Sequence, residues 1–469
     1  MRLHAINKWP IITGLLALLV YLLTLAPDLT WANYGVDGGE LITAAISGGV
    51  PHPPGYPTYV LIGKLFSYVP LGTVAYRFNL LSAVATAIAA AFVTATASQL
   101  LASRLPNGQL PDTTIPFVAI AAGLTFAFAP LVWSQAIIAE VYGLNLAFVA
   151  AFLWALLSQR PTWLVGLLLG VSITTHLTSL LLIPLALALT PRGRWLPLTL
   201  GISLGLAPFL LPAWLAQTDS PVVWGEPATP GGWWWLVSGR LYHHNVFGLP
   251  TARLWPRLQR WIWLWLNQFT LLGLPLVAAG LVSAREGKQY WLVATATLYT
   301  LYAFTYDAED AAVLLLPSLL LLSIVLAQGL QRLGWVALFL PLASLLLNFN
   351  TQNLSDDRPV RPLAEQLLQT APPDAILLTP GDPTIFTLWY FQHVEGQRPD
   401  LILVDRNLFA FDWYRQRLRR TDPELEGLDL DDLVRFQRYN KSERPVCSVS
   451  LITPGDVTPI TNSCLEDSS

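Results

Sequence analysis

The sequence predicts an α-helical polytopic membrane protein of about eleven transmembrane helices, carrying a C-terminal α/β domain outside the cytoplasm. Three observations predict it. Of 469 residues, 54% are hydrophobic and 12% charged, about half the charged share of a soluble domain, so the chain has too little polar surface to cover itself in water. The apolar residues gather into long runs separated by short polar turns. The charges are unevenly spread: residues 1–349 hold 15 basic and 11 acidic side chains, whereas residues 350–469 hold 12 and 19. An ordinary cytosolic enzyme is excluded, and a net charge of −3 offers no basic excess for nucleic acid.

Weighed against the roughly 20 apolar residues that a span needs, the runs lie near residues 10–27, 76–102, 115–132, 143–158, 162–175, 177–190, 196–215, 259–283, 290–305, 310–329 and 334–348. Arg2 and Lys8 precede the first, and no small-residue cleavage site follows it, so it reads as an uncleaved span rather than a signal peptide. The stretch 162–190 is cut only by Thr174, Thr175 and His176. Lys and Arg mark the cytoplasmic side. With Arg2 and Lys8 inside, alternation puts Arg104, Arg160, Arg192, Arg194, Arg285, Lys288 and Arg332 inside too, and sends nine of the eleven acidic residues of 1–349 outside. The N-terminus is then cytoplasmic and the polar tail extracytoplasmic. Its boundary near Asn348 divides a transmembrane domain, 1–349, from a soluble one, 350–469. Cytoplasmic turns are short, while the outer face carries the long segments 28–75 and 216–258. Function is expected there, at the outer membrane–water boundary, and the compact loops suggest a bacterial plasma membrane.

The tail reads as strand (Ala375 to Thr379), a Gly381-Asp382-Pro383 break, an amphipathic helix to about Glu395, and a second strand (Leu401 to Val404), an order that favours a parallel pair with a crossover. Cys447 and Cys464 lie seventeen apart without metal spacing. In an extracytoplasmic tail they could close a small disulfide loop; otherwise they are two surface thiols.

The segment WANYGVDGGELITAAISGGVPHPPGYP holds the first chemistry. Asp37 and Glu40 flank two glycines at the start of a helical run, where the helix dipole favours negative charge. Taken alone, they read as helix caps. HPPGYP then follows, its three prolines imposing a rigid turn that would hold His52 and Tyr56.

With these, YRFNLLSAV at the second span, WSQAIIAEVYGLN (Trp133 to Asn145) and GDPTIFTLWYFQHVEGQRPDLILVD in the tail, the sequence resembles a membrane family long catalogued only as a domain of unknown function. That family includes the eukaryotic transmembrane O-mannosyltransferase acting on plexin-type IPT domains. The resemblance implies a type C (GT-C) glycosyltransferase that moves a sugar from a polyprenyl-phosphate carrier to an extracytoplasmic acceptor, a protein hydroxyl or glycan. It also implies an acid in the first outer loop: Asp37 matches that position, with Glu40 beside it. The chemistry agrees, since inverting transfer to a hydroxyl needs a general base opposite the leaving phosphate. The rival reading is a transporter or flippase of a lipid-linked saccharide, against which few ionisable residues lie deep in spans; a scaffold without activity is a third.

Substrate contacts are expected from several further residues. Arg240 stands beside Tyr242, His243, His244 and Asn245 in the second long segment and could hold the leaving phosphate or simply snorkel. Glu140 and Asn145 belong to the family-like motif at the head of a span, and His176 lies in a polar break. Asp307, Glu309 and Asp310 could bind a divalent cation or form a solvated turn. Trp233, Trp234 and Trp235 fit an interfacial anchor better than a sugar platform, and Asp382 fits a turn better than an acceptor contact.

Overall fold

The computed structural model describes residues 8–103, 114–283, 287–449 and 463–464. The charge markers Arg2, Arg104 and Arg285 lie outside them. The first helices are α1 (Lys8–Thr24), α2 (Gly38–Ser47), α3 (Pro57–Phe66), α4 (Val74–Ala102), α5 (Thr114–Ala127), α6 (Pro130–Ala136) and α7 (Val141–Leu157). There follow α8 (Thr162–Thr175), α9 (Ile183–Leu189), α10 (Trp195–Gly205), α11 (Leu211–Leu215), α12 (Pro230–Val237), α13 (Thr251–Ser283), α14 (Gly287–Thr305), α15 (Leu316–Leu330) and α16 (Phe339–Gln352). Each of the eleven apolar runs contains a helix. Five helical stretches are long and apolar enough to cross a membrane, six if α5 and α6, bent by 67°, form one span; four others are apolar but shorter.

At the centre stands α4, started by Thr73, whose hydroxyl accepts the Tyr76 amide. Its alanine-rich faces let α1, α5 and α7 approach closely. The tightest pair is α8 with α10. Gly166 and Gly170 on one face Gly201 and Gly205 on the other, and a Cβ at any of the four would collide with the partner backbone. Small residues four apart on both helices are the device by which backbones pack without a hydrophobic driving force.

The tail adds α17 (Val360–Thr370), β1 (Ile376–Thr379), α18 (Asp382–Trp389), β2 (Ile402–Asp405), α19 (Asp412–Thr421), α20 (Leu433–Asn440), β3 (Val446–Ser448) and β4 (Ser463–Cys464). The sheet order is β2-β1-β3-β4, with β1 parallel to both neighbours and β3 antiparallel to β4. A Cys447–Cys464 disulfide joins the last two strands. The polar composition begins inside α16, which continues past Asn348 to Gln352.

The tail does not keep its core to itself. One buried cluster runs from α2 and α3 through Val222, Trp224 and Leu236 into the tail's Phe386, Leu377 and Phe436. Polar ties follow the same seam. Trp31 Nε1 donates to Thr387 Oγ1 at 3.0 Å, and the Tyr390 hydroxyl accepts the Ala75 amide at 3.2 Å. Arg361 in α17 donates through Nε to Asp28 (2.5 Å) and through both terminal nitrogens to Glu395 (2.7 and 2.6 Å). Asp28 is buried, so losing its guanidinium would strand a carboxylate. Arg361→Ala should therefore lower stability by about 2–3 kcal/mol, somewhat less than breaking a fully buried pair, with Arg361→Lys recovering only part. Thermal unfolding of the purified protein reads this, and equal midpoints for Arg361→Ala and wild type would refute it.

Candidate active site

After α1 the chain cannot continue as a helix through Pro27-Asp28, and it runs irregularly, with Asn33 and Tyr34 at positive φ, into a short 3₁₀ turn that ends at Asp37. Asp37 occupies the cap position of α2, yet its side chain caps nothing. Glu40 lies in the first turn and is fully buried. Its two oxygens take the backbone amide of His52 (2.9 Å) and its Nδ1 (2.5 Å). The other ring nitrogen, Nε2, lies 3.2 Å from the Tyr56 hydroxyl and 3.8 Å from Asp37. The two carboxylates that look alike in sequence thus part company: Glu40 is committed to His52, while 40% of the Asp37 side-chain surface stays open.

The turn 52–57 is held from both sides. Gly55 donates back to the His52 carbonyl, and Gly55 and Tyr56 both take positive φ before Pro57 opens α3. Upstream, Val50 pairs with the second outer segment, accepting the Trp224 amide and donating to the Val222 carbonyl. That pairing brings the Trp224 ring edge-on to His52, centroids 6.1 Å apart. Gly39 has a different task from freeing Asp37: any Cβ there would strike the Phe386 carbonyl of α18, so it lets the tail seat directly on α2.

Charge follows from this enclosure. Burial alone would push the His52 imidazole down, but the Glu40 and Asp37 carboxylates override it and lift its pKa to about 10, so it is an imidazolium at neutral pH. Enclosure of the cavity pushes Asp37 up; His52 opposes this, while Glu40, Asp382 and Asp310 add to it, leaving Asp37 at about 7. A carboxylate there changes protonation near working pH, as a general base should.

Asp37, His52 and Tyr56 face a cavity of about 370 Å³. His176 and His243 line it too. Its opposite polar wall is Asn245, Tyr306 and Asp310, and an apolar flank is made by Leu177, Leu180 and Leu181. Tyr142, Tyr242 and Tyr302 complete the lining. Like Asp37, Asp310 sits at a helix-cap position without capping, and burial pushes its pKa up. The wall carrying it is shaped by Arg257, which donates to the carbonyls of Phe304, Tyr306 and Ala308.

The remaining expected residues lie elsewhere. Glu140 is buried at the head of α7 and accepts the Val141 amide, so it faces its own helix, and Tyr142 two residues on reaches the cavity. Asn145 donates to the Ser172 carbonyl and Ser179 Oγ, bracing the break around His176. Arg240 is exposed and outside the lining. Trp233 donates to the Phe209 carbonyl and Trp234 is 60% exposed; neither lines the cavity. Asp382 opens α18 and is exposed. The acidic cluster forms no ligand set, because Asp307 pairs with Arg253 (3.1 Å), Glu309 is exposed and Asp310 faces the cavity. Among the described residues no group of three or more His, Cys, Asp or Glu could hold a metal ion. Sequence reasoning passed over Tyr142, Tyr302 and Tyr306 as site residues; only the last two carry a signal, an i, i+4 spacing just before the acidic turn.

Comparisons with known proteins agree at both ends of the chain. Residues 37–195 match the protein O-mannosyl-transferase TMEM260 N-terminal domain, and residues 360–463 match the TMEM260-associated domain 2. Protein O-mannosyl-transferase TMEM260 of Mus musculus is 29% identical over 90% of this chain and 67% of its own length. The Dictyostelium discoideum protein of that name is 23% identical over 85% of this chain, which spans only 57% of the relative's length. Among solved structures, ArnT from Cupriavidus metallidurans bound to undecaprenyl phosphate superposes with a TM-score of 0.57 at 14% identity, covering 95% of this chain and 93% of ArnT. At that identity the likeness is one of fold, and the fold is that of an integral membrane protein.

Proposed function

Because the chain belongs to the TMEM260 family, we propose that it is a membrane glycosyltransferase that moves a sugar from a polyprenyl-phosphate carrier to a hydroxyl of an extracytoplasmic protein or glycan. The observation that carries the reading is Asp37: a carboxylate at a helix start that caps nothing, poised near neutrality by enclosure and set on a cavity with one polar and one apolar side. The acceptor hydroxyl gives its proton to Asp37 as its oxygen bonds to the sugar C1, and the bond from C1 to the phosphate oxygen breaks on the opposite face, inverting the centre. Glu40 holds His52 charged beside Asp37 throughout. Tyr56 and His243 line the sugar's surroundings, Arg240 waits at the rim where an anionic headgroup arrives, and Glu140 and Asn145 act through the elements they brace.

The same proposal sets the topology. The eleven helical segments are spans, with the N-terminus in the cytoplasm of a bacterial cell. Residues 1–349 form the catalytic domain, and 350–469 lie outside and present the acceptor. The Cys447–Cys464 disulfide supports an oxidising compartment for the tail.

Release of polyprenyl phosphate by purified protein, given lipid-linked sugar and acceptor, tests the function. An enzyme releases it, a flippase relocates the intact lipid, and a scaffold does neither. The pH profile carries the base: Asp37 must be ionised, so kcat/KM should rise about tenfold per unit below pH 7 and level off above it. A rate independent of pH between 5 and 8 would remove Asp37 from that role.

A further inference from the structure

We infer that His176 is the group that binds the phosphate of the lipid carrier in the cavity, as a neutral imidazole donating from Nε2; the inference rests on the function proposed above. The cavity needs such a group. No lysine or arginine is among its lining residues, while Asp37 and Asp310 both face it, so an anion is repelled from the wall where the sugar would lie. A phosphate must therefore sit away from the carboxylates, at the border between polar wall and apolar flank. His176 is at that border. The next residues in the chain, Leu177, Leu180 and Leu181, form the apolar flank along which an isoprenoid can run.

The ring is preset. The backbone amide of Thr178 donates to His176 Nδ1 at 3.3 Å, and the Thr178 hydroxyl lies 2.8 Å from the same nitrogen. A backbone amide can only donate, so Nδ1 is the acceptor and the proton of the neutral ring is on Nε2. Nε2 has no partner within the protein, and the residue lines the cavity. Tyr56 stacks on one side of the ring at 6.1 Å and Tyr142 lies against it at 5.3 Å.

The surrounding chain is built to hold this orientation. His176 breaks the run between α8 and the 3₁₀ turn that follows, and the break is braced three times. Asn145 ties Ser172 to Ser179, the Thr58 and Thr174 hydroxyls meet at 2.7 Å, and the Tyr299 hydroxyl donates to the Thr178 carbonyl at 2.8 Å. In the donor the phosphate is a diester with one negative charge. As the bond from C1 to the phosphate oxygen breaks, its electron pair stays on that oxygen and a second charge develops. A fixed N–H donor then gains strength as the reaction proceeds, without exchanging a proton.

Farnesyl phosphate binding to the purified full-length protein tests this, with inorganic phosphate as competitor. His176→Ala should weaken binding roughly ten- to a hundredfold, the worth of one hydrogen bond to a charged group. His176→Gln, whose amide nitrogen reaches the Nε2 position, should stay within about threefold of wild type, whereas His176→Asn, which mimics Nδ1, should resemble the alanine variant. Both amide variants are neutral and polar, so a difference between them reports donor position rather than folding. Equal affinities for Gln and Asn variants, strong or weak, would overturn the inference and leave the proposed function standing. Competition by inorganic phosphate at matching concentration would overturn the isoprenoid part. No binding to wild type would sink the lipid-phosphate donor and this inference together.

Discussion

Asp37→Asn should lower the transfer rate by roughly 10²–10⁴ while leaving donor affinity nearly unchanged. The substitution keeps size and one acceptor oxygen and removes only the basic carboxylate. Because the Asp37 side chain caps no helix, the variant should fold with a midpoint close to wild type. Loss of donor binding in parallel with rate would mean that Asp37 holds the donor instead. Turnover within a fewfold of wild type would return it to an ordinary polar side chain at a helix start.

Glu40→Gln should be worse for the fold and nearly as bad for the reaction. Glu40 is 0% exposed and is the closest countercharge of His52, so removing its charge leaves an imidazolium buried without its partner. Breaking such a pair costs about 3–5 kcal/mol, visible as a lower unfolding midpoint. His52 would respond by losing its proton, since burial alone pushes it down. Asp37 would then lose the cation that opposes its upward shift, and the rising limb of the rate profile should move above pH 7. The sign of the wild-type linkage follows from the same pair. His52 has a pKa raised to about 10, so its stabilisation is complete below its unfolded pKa of about 6.5 and is lost as the pH rises through about 10. A Glu40→Gln protein with normal stability and an unmoved pH profile would contradict this account of the pair.

How far the sequence reaches can be judged residue by residue. Asp37, His52 and Tyr56 lie within twenty positions of one another, and a proline-stiffened turn so close to a helix start announces that they share a neighbourhood. The helical runs were equally legible, because a membrane leaves the backbone few choices but to bond within its own segment. What separates Glu40 from Asp37 was not legible, since it depends on Trp224 and Phe386, some two hundred and three hundred and fifty positions away. Gly39 is the same case: its reason is the Phe386 carbonyl. Glu140 and Asn145 carry a family-like motif, but only the start of α7 decides that Glu140 turns to Val141 and Tyr142 to the cavity. The three acids at 307–310 look like one ligand cluster in sequence, and a single contact to Arg253 disperses them.

One measurement bears most directly on the central claim that Asp37 works on a lipid-linked sugar in this cavity: the structure of the protein with an inert phosphonate analogue of a polyprenyl-phosphate sugar. The account predicts the sugar between Asp37 and Asp310, its C1 face toward Asp37 open to an acceptor, the phosphonate at His176 and the isoprenoid along Leu177 to Leu181. An analogue bound outside the cavity, with its headgroup at Arg240 and its sugar out of reach of Asp37, would contradict it.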